Sequence, residues 1–226
     1  PVGVSALGRE VVMTNKSFDP LQNDLVSMVS HELRTPLATI KEFTSILADE
    51  LAGPTTREQR EYLGIIQQNI GRMIRIVDNL LDVTKIEAGR VLLNRRVVDA
   101  GALIGQVVES LTPLANSRQL ELHAQLPPQP PSIFGDGDKL TQVLTNLVGN
   151  AIKFTPSPGR ITVGVDAQGD EVTFRVTDTG VGIAPEDLPK LFEKFQQFQS
   201  TTSLAGLRGT GLGLAITKRL VELHGG

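Results

Sequence analysis

Two long runs of apolar residues at helical period, parted only by Gly53-Pro54-Thr55, constrain this chain more than any other feature of its sequence. In the first, from Leu21 to about Leu51, Leu25, Val29, Leu33, Pro36, Ile40, Phe43, Leu47 and Leu51 share one helical stripe. Pro36 removes a backbone donor, which predicts a kink there. The second run carries Tyr62, Ile65, Ile66, Ile70, Met73, Val77, Leu80, Leu81 and Thr84 to a stop at Gly89. Together they predict a helical hairpin. Two helices cannot enclose stripes this broad, so the hairpin should pair with a copy of itself as a four-helix bundle, making the protein a homodimer.

After Gly89 the period becomes mixed, and a chain of 226 residues has room for a second core. Residues 1–18 read as a linker or the tail of an upstream module, with only a β-like Glu10-Val11-Val12-Met13 and turn-prone Asn15 and Asp19-Pro20. Residues 19–90 form the hairpin unit, and residues 91–226 an α+β sandwich with helices on one face of a sheet. Within the sandwich, Val91 to Val98 predicts a strand and Asp99 caps a helix to about Ala115. Leu120, Leu122, Ala124 and Leu126 alternate as a strand, and Pro127 to Pro131 is a loop. A helix follows from about Asp138 to Phe154. Ile161-Val163-Val165 and Val172-Phe174-Val176 then make two strands around a Gly169-Asp170 turn. A mobile loop over residues 196–208 precedes a last helix from about Leu212 to His224.

Composition narrows the chemistry. Cysteine is absent, which excludes disulfides, thiolate zinc sites and thiol nucleophiles and suits a reducing, cytoplasmic setting. A net charge of −3 without a basic run gives no case for nucleic acid. No apolar stretch is long enough to span a bilayer. Pro1 reads as a cut, so any membrane anchor is expected in an upstream region.

Four clusters carry candidate chemistry. In Ser30-His31-Glu32-Leu33-Arg34-Thr35-Pro36-Leu37, His31 falls roughly 200° from the centre of the apolar stripe, on the outer face of the bundle. A largely neutral imidazole there has a ring nitrogen free to attack phosphorus. Thr35 shares that face one turn on, while Glu32 sits toward the edge of the apolar stripe, next to His31 but not stacked over it, and is a candidate to take or orient the other ring proton. An isolated His-Glu pair is more often an ordinary surface feature. Asn146, Asn150 and Lys153 form a polar stripe opposite Leu140, Leu144, Leu147, Ala151 and Ile152, suited to Mg²⁺ and phosphate but equally to a plain solvent face. Asp178 continues the alternation of Val172, Phe174 and Val176, so its carboxylate should enter the apolar side of the sheet and need a donor, such as a purine amino group. An Asp-Thr-Gly strand end is common without any such role. Gly209-Thr210-Gly211-Leu212-Gly213-Leu214 opens the last helix, where backbone amides can meet phosphate. Its spacing fits neither the dinucleotide fingerprint nor a phosphate loop ending in Gly-Lys-Ser/Thr.

In this order the four clusters resemble the bacterial sensor histidine kinases, from about Leu21 to the end of the chain. By that resemblance Ser30 to Leu37 is the phosphoacceptor box and Asn146 to Phe154 the asparagine box of a domain of the gyrase, heat-shock-protein-90 and histidine-kinase superfamily. Asp178, Gly180 and Gly182 belong to the first glycine box, Phe192-Glu193-Lys194-Phe195 to the phenylalanine box, and Gly209, Thr210, Gly211, Leu212 and Gly213 to the second glycine box, with an ATP lid between. The resemblance implies ATP and Mg²⁺, with Asn150 on the metal, Asn146, Lys153 and Phe154 beside the nucleotide and Asp178 on adenine. It implies His31, Glu32 and Thr35 as catalytic residues and a response-regulator receiver domain as partner. Related ATPases carry a water-activating glutamate where Asn146 stands, so hydrolysis should be slow. An ATPase of the same superfamily and a non-catalytic dimeric scaffold are the rival readings, opposed by Asn146 with the exposed His31 and by the intact Asn150, Asp178 and glycine boxes. Family members continue past His224-Gly225-Gly226 with closing strands, so the ATP-binding domain is expected to lack its last strands, at a cost in stability.

Overall fold

A computed structural model describes residues 20–197 and 210–226, and of residues 20–27 and 31 the backbone only. The expected linker over residues 1–18, most of the expected lid, Gly209, the place of Leu25 in its stripe and the outward direction of the His31 side chain therefore lie outside the described residues.

Helix α1 spans Pro20–Ala48 and runs without interruption through Pro36. Leu51 falls in the turn beyond it. Helix α2 spans Arg57–Glu87, and both its ends are fixed locally. At its start Thr56 Oγ1 accepts from the Gln59 amide at 3.1 Å while Gln59 Oε1 accepts from the Thr56 amide at 2.8 Å, a reciprocal cap. At its end Gly89 takes a left-handed φ of 64°, which glycine adopts without a Cβ penalty. The hairpin closes on few residues: Leu37 of α1 packs with Ile70 and Val77 of α2. Arg34 pairs with Asp78 at 2.5 Å, which marks the register between the helices.

Beyond Gly89 the first strand is shorter than its apolar run. Val91 to Val98 is not one strand; only Arg96–Asp99 is, as β1. Val91 packs instead beside α2 and the last helix, and the Asn94 amide donates to Asp136 Oδ2 at 2.9 Å rather than to a ladder. The partner of β1 is β3, Ser132–Gly135, a four-residue strand directly after the proline loop that alternation did not reveal. Asp99 caps α3, Ala100–Ser117, accepting from the Ala102 amide at 2.9 Å. Strand β2, Leu120–Gln125, runs parallel to β4, Gly159–Gln168, and β4 forms an antiparallel hairpin with β5, Glu171–Asp178, through Gly169.

Asp136 caps α4, Gly137–Phe154. Burial opposes its charge, but the amides of Asn94, Lys139 and Asp138 and the Lys139 ammonium hold its carboxyl below the usual range. One face of α4 packs with α3 and the three-stranded sheet through Leu140, Leu144, Val148, Ala151 and Ile152, against Ile161, Val163 and Val165 of β4. A second core joins Val143 of α4 to Leu212, Ile216 and Leu220 of helix α5, Gly213–His224, and to Val83 and Ile86 of α2. The hairpin is thus packed directly against the α/β module.

Candidate active site

The polar stripe of α4 follows from its cores: with Leu144, Val148, Ala151 and Ile152 buried, Asn146, Asn150 and Lys153 stand at the half-exposed side. Their surroundings differ. Asn150 makes no side-chain hydrogen bond among the described residues, so its carboxamide oxygen is available to a metal ion. Asn146 is engaged, its Nδ2 donating to Thr217 Oγ1 at 2.7 Å. Burial lowers the pKa of the Lys153 ammonium, helped by repulsion from Arg118 and Arg72, and its Nζ lies 4.6 Å above the Phe154 ring. A phosphate brought to such a cation would reverse that shift.

Asp178 ends β5 on the same parity as Phe174 and Val176, as alternation predicts, but it is exposed rather than sunk in the sheet. The strand stops there, and the side chain stands at its exposed end. Oδ1 accepts from the Gly180 amide at 2.8 Å, which leaves Oδ2 for another donor. Gly180 is wedged: a Cβ there would stand 2.5 Å from Asp178 Oδ1 and 2.8 Å from the Phe154 carbonyl oxygen. That contact ties the Asp178 turn to the end of α4. Gly182 differs, with a φ of 70° and open space where a side chain would be.

Thr210, at the other rim, accepts at Oγ1 from the Leu212 amide at 3.2 Å and from Asn79 Nδ2 of α2 at 3.3 Å. Gly211 follows with a φ of 69° against the Phe195 backbone, and Gly213 opens α5. Phe192 and Phe195 are both exposed, Phe192 lying under Lys218 Nζ at 5.7 Å. Gln142 Nε2 donates to Asp82 Oδ2 at 2.5 Å, and Lys194 pairs with Glu87. Sequence reasoning missed this seat on α2, because no local pattern marks residues that meet across two modules.

On α1, Thr35 is exposed, as the helical register predicts, and Glu32 is exposed as well. His31 lies three residues before Arg34, so in an antiparallel hairpin its backbone stands level with the turn of α2 just past Asp78. That turn carries Asn79 and Asp82, two of the α2 residues that bond to the α/β module.

These groups fit an adenine nucleotide: an uncovered acceptor at Asp178, a cation and a spare carboxamide along α4, and glycines at a helix start. Among the described residues no group of three histidine, cysteine, aspartate or glutamate side chains could hold a metal ion, and the Asn150 carboxamide oxygen is the kind of donor that could hold one together with ligand oxygens. A cleft of 540 Å³ between the end of α2, Phe192 to Lys194 and α5 contains none of Asn146, Asn150, Lys153 or Asp178, so volume does not locate the chemistry.

Comparison with known proteins agrees with this geometry. Residues 21–89 match the family model described as the His Kinase A (phospho-acceptor) domain, and residues 135–226 match the histidine kinase-, DNA gyrase B-, and HSP90-like ATPase model. The circadian input-output histidine kinase CikA of Thermosynechococcus vestitus is 38% identical over 220 residues, 96% of this chain but 30% of that protein. Histidine protein kinase DivJ of Caulobacter vibrioides is 37% identical over 198 residues, 88% of this chain and 33% of that protein. Among solved structures, full-length ShkA in complex with AMPPNP superposes with a TM-score of 0.72 at 32% identity, covering 88% of this chain and 41% of that one. The chain thus spans a third or less of the length of these two curated relatives. With a phosphoacceptor hairpin and an ATPase-like module matched in that order along one chain, this protein belongs to the histidine kinase family.

Proposed function

We propose that the chain binds Mg²⁺-ATP between α4, Asp178 and the start of α5, moves the γ-phosphoryl group onto His31, and passes it to an aspartate of a response regulator. The carrying observation is the seat of the α/β module on α2: the Thr210 rim of the nucleotide site meets Asn79 level with His31.

In this reading Asp178 accepts from the adenine amino group and Lys153 meets the phosphates. Asn150 would hold Mg²⁺ together with the triphosphate, and the ion would supply neutralisation of the phosphate oxygens. The His31 ring nitrogen forms the N–P bond as the bond from γ-phosphorus to the bridging oxygen of ADP breaks, and Glu32 takes or steadies the proton on the other nitrogen. Asn146, a carboxamide, cannot accept a proton from water, so the γ-phosphoryl group is kept for the histidine. Catalysis is mostly positioning and charge neutralisation. The exposed apolar face of the hairpin supports a dimer, and residues 19–90 and 91–226 are the two working units.

Incubation with γ-labelled ATP should leave label on the protein with little free phosphate; steady release of phosphate without protein labelling would favour the ATPase reading. Thr35, exposed one turn past His31, is further proposed to position water for dephosphorylating the regulator. Thr35→Ala should lower that phosphatase rate at least about tenfold with autophosphorylation unchanged, measured with purified phospho-regulator. An unchanged phosphatase rate would remove the role.

A further inference from the structure

Asn146 and Asn150 stand one turn apart on α4, yet their environments assign them different work. Asn150 faces the nucleotide side without a partner among the described residues. Asn146 is held on two sides by α5. Its Nδ2 donates to Thr217 Oγ1 at 2.7 Å, and Thr217 is 5% exposed. Its Oδ1 lies against Gly213, where a Cβ would stand 2.3 Å from that oxygen and 3.0 Å from Cγ and Nδ2. Gly213 does not share the positive φ of Gly211. Its backbone would therefore accept an L side chain, and what forbids one is the Asn146 carboxamide.

We propose that Thr217 is a positioning residue of the nucleotide site. Its hydroxyl holds the Asn146 carboxamide flat against Gly213, fixing the spacing between α4, which carries Asn150 and Lys153, and the glycine-rich start of α5. The inference rests on the nucleotide-binding reading and deepens it. A carboxamide has two soft torsions, and only the Thr217 bond selects the rotamer that lets the two helices approach closely. The hydrogen bond therefore acts on the phosphate end of the ligand. The adenine end, at Asp178, belongs to β5 and is tied to α4 by Gly180 instead.

Thr217→Val keeps the shape and removes the hydroxyl. It should weaken Mg²⁺-ATP binding about tenfold, leave adenosine binding unchanged, and be rescued by Thr217→Ser. Gly213→Ala should give the same phosphate-selective loss, and that loss should vanish in an Asn146→Ala background, where the added methyl meets no carboxamide. This cycle decides the question even if Thr217→Val fails to fold. Equal losses for adenosine and Mg²⁺-ATP, wild-type affinity in Thr217→Val, or a Gly213→Ala cost independent of residue 146 would each overturn the proposal. Wild-type protein that binds no adenine nucleotide would instead overturn the underlying reading.

Discussion

Asp178→Asn should weaken ATP binding by roughly 10- to 150-fold, the worth of about 1.5–3 kcal/mol for a hydrogen bond to a charged group. The substitution is nearly isosteric and its site is exposed, so the fold should be unaffected. The new carboxamide would give its oxygen to the Gly180 amide, as Oδ1 does now at 2.8 Å, and turn its NH₂ toward the ligand. A donor there faces the adenine amino group, which is also a donor. The same change should suit inosine triphosphate, whose ring carries a carbonyl at that position. Titration calorimetry with both nucleotides should show a preference for ATP in wild type that shrinks or reverses in Asp178→Asn. Unchanged ATP affinity in the variant would remove Asp178 from the adenine site.

The second large effect concerns assembly. Within one chain the hairpin buries Leu37, Ile70 and Val77, while Phe43 is 61% exposed, Ile40 47%, Met73 50% and Ile65 52%. Such an apolar face is far from what a monomer leaves in water. Covering a side chain of this size yields about 1.5–3 kcal/mol, and two-fold symmetry counts it twice. Phe43→Glu should therefore raise the dimer dissociation constant by roughly 10²- to 10⁴-fold. Sedimentation of wild type should give a dimer and of the variant a monomer with an intact melt. A variant as dimeric as wild type would place the interface elsewhere.

Much of this architecture was legible because its signals are local. Gly53-Pro54-Thr55 and Gly89 bound α2, Asp99 begins α3, and Gly169 turns β4 into β5. The apolar period of α1 was visible, but the face it turns to α2 was not: Leu37, outside the predicted stripe, meets α2, whereas Val29, Leu33, Ile40, Phe43 and Leu47 of the stripe stay exposed. What failed depended on distant partners. Residues 91–95 carry strand-like residues, yet Val91 is drawn to α2 and α5 and the Asn94 amide to Asp136. β3 is only four residues long and exists because β1 lies beside it. Alternation gave the parity of Asp178 but not its exposure, since a strand end can leave the sheet's cover. In the same way the asparagine stripe was visible, while the Thr217 partner of Asn146 lies on another helix.

A single nucleophile, His31, carries the proposed phosphoryl transfer. Wild type and His31→Gln, each incubated with γ-labelled ATP and Mg²⁺, give the most direct test. The expected result is label on wild type that is lost in acid and survives alkali, with none above background on the variant. Equal labelling of His31→Gln, or label stable to acid, would contradict phosphoryl transfer to His31.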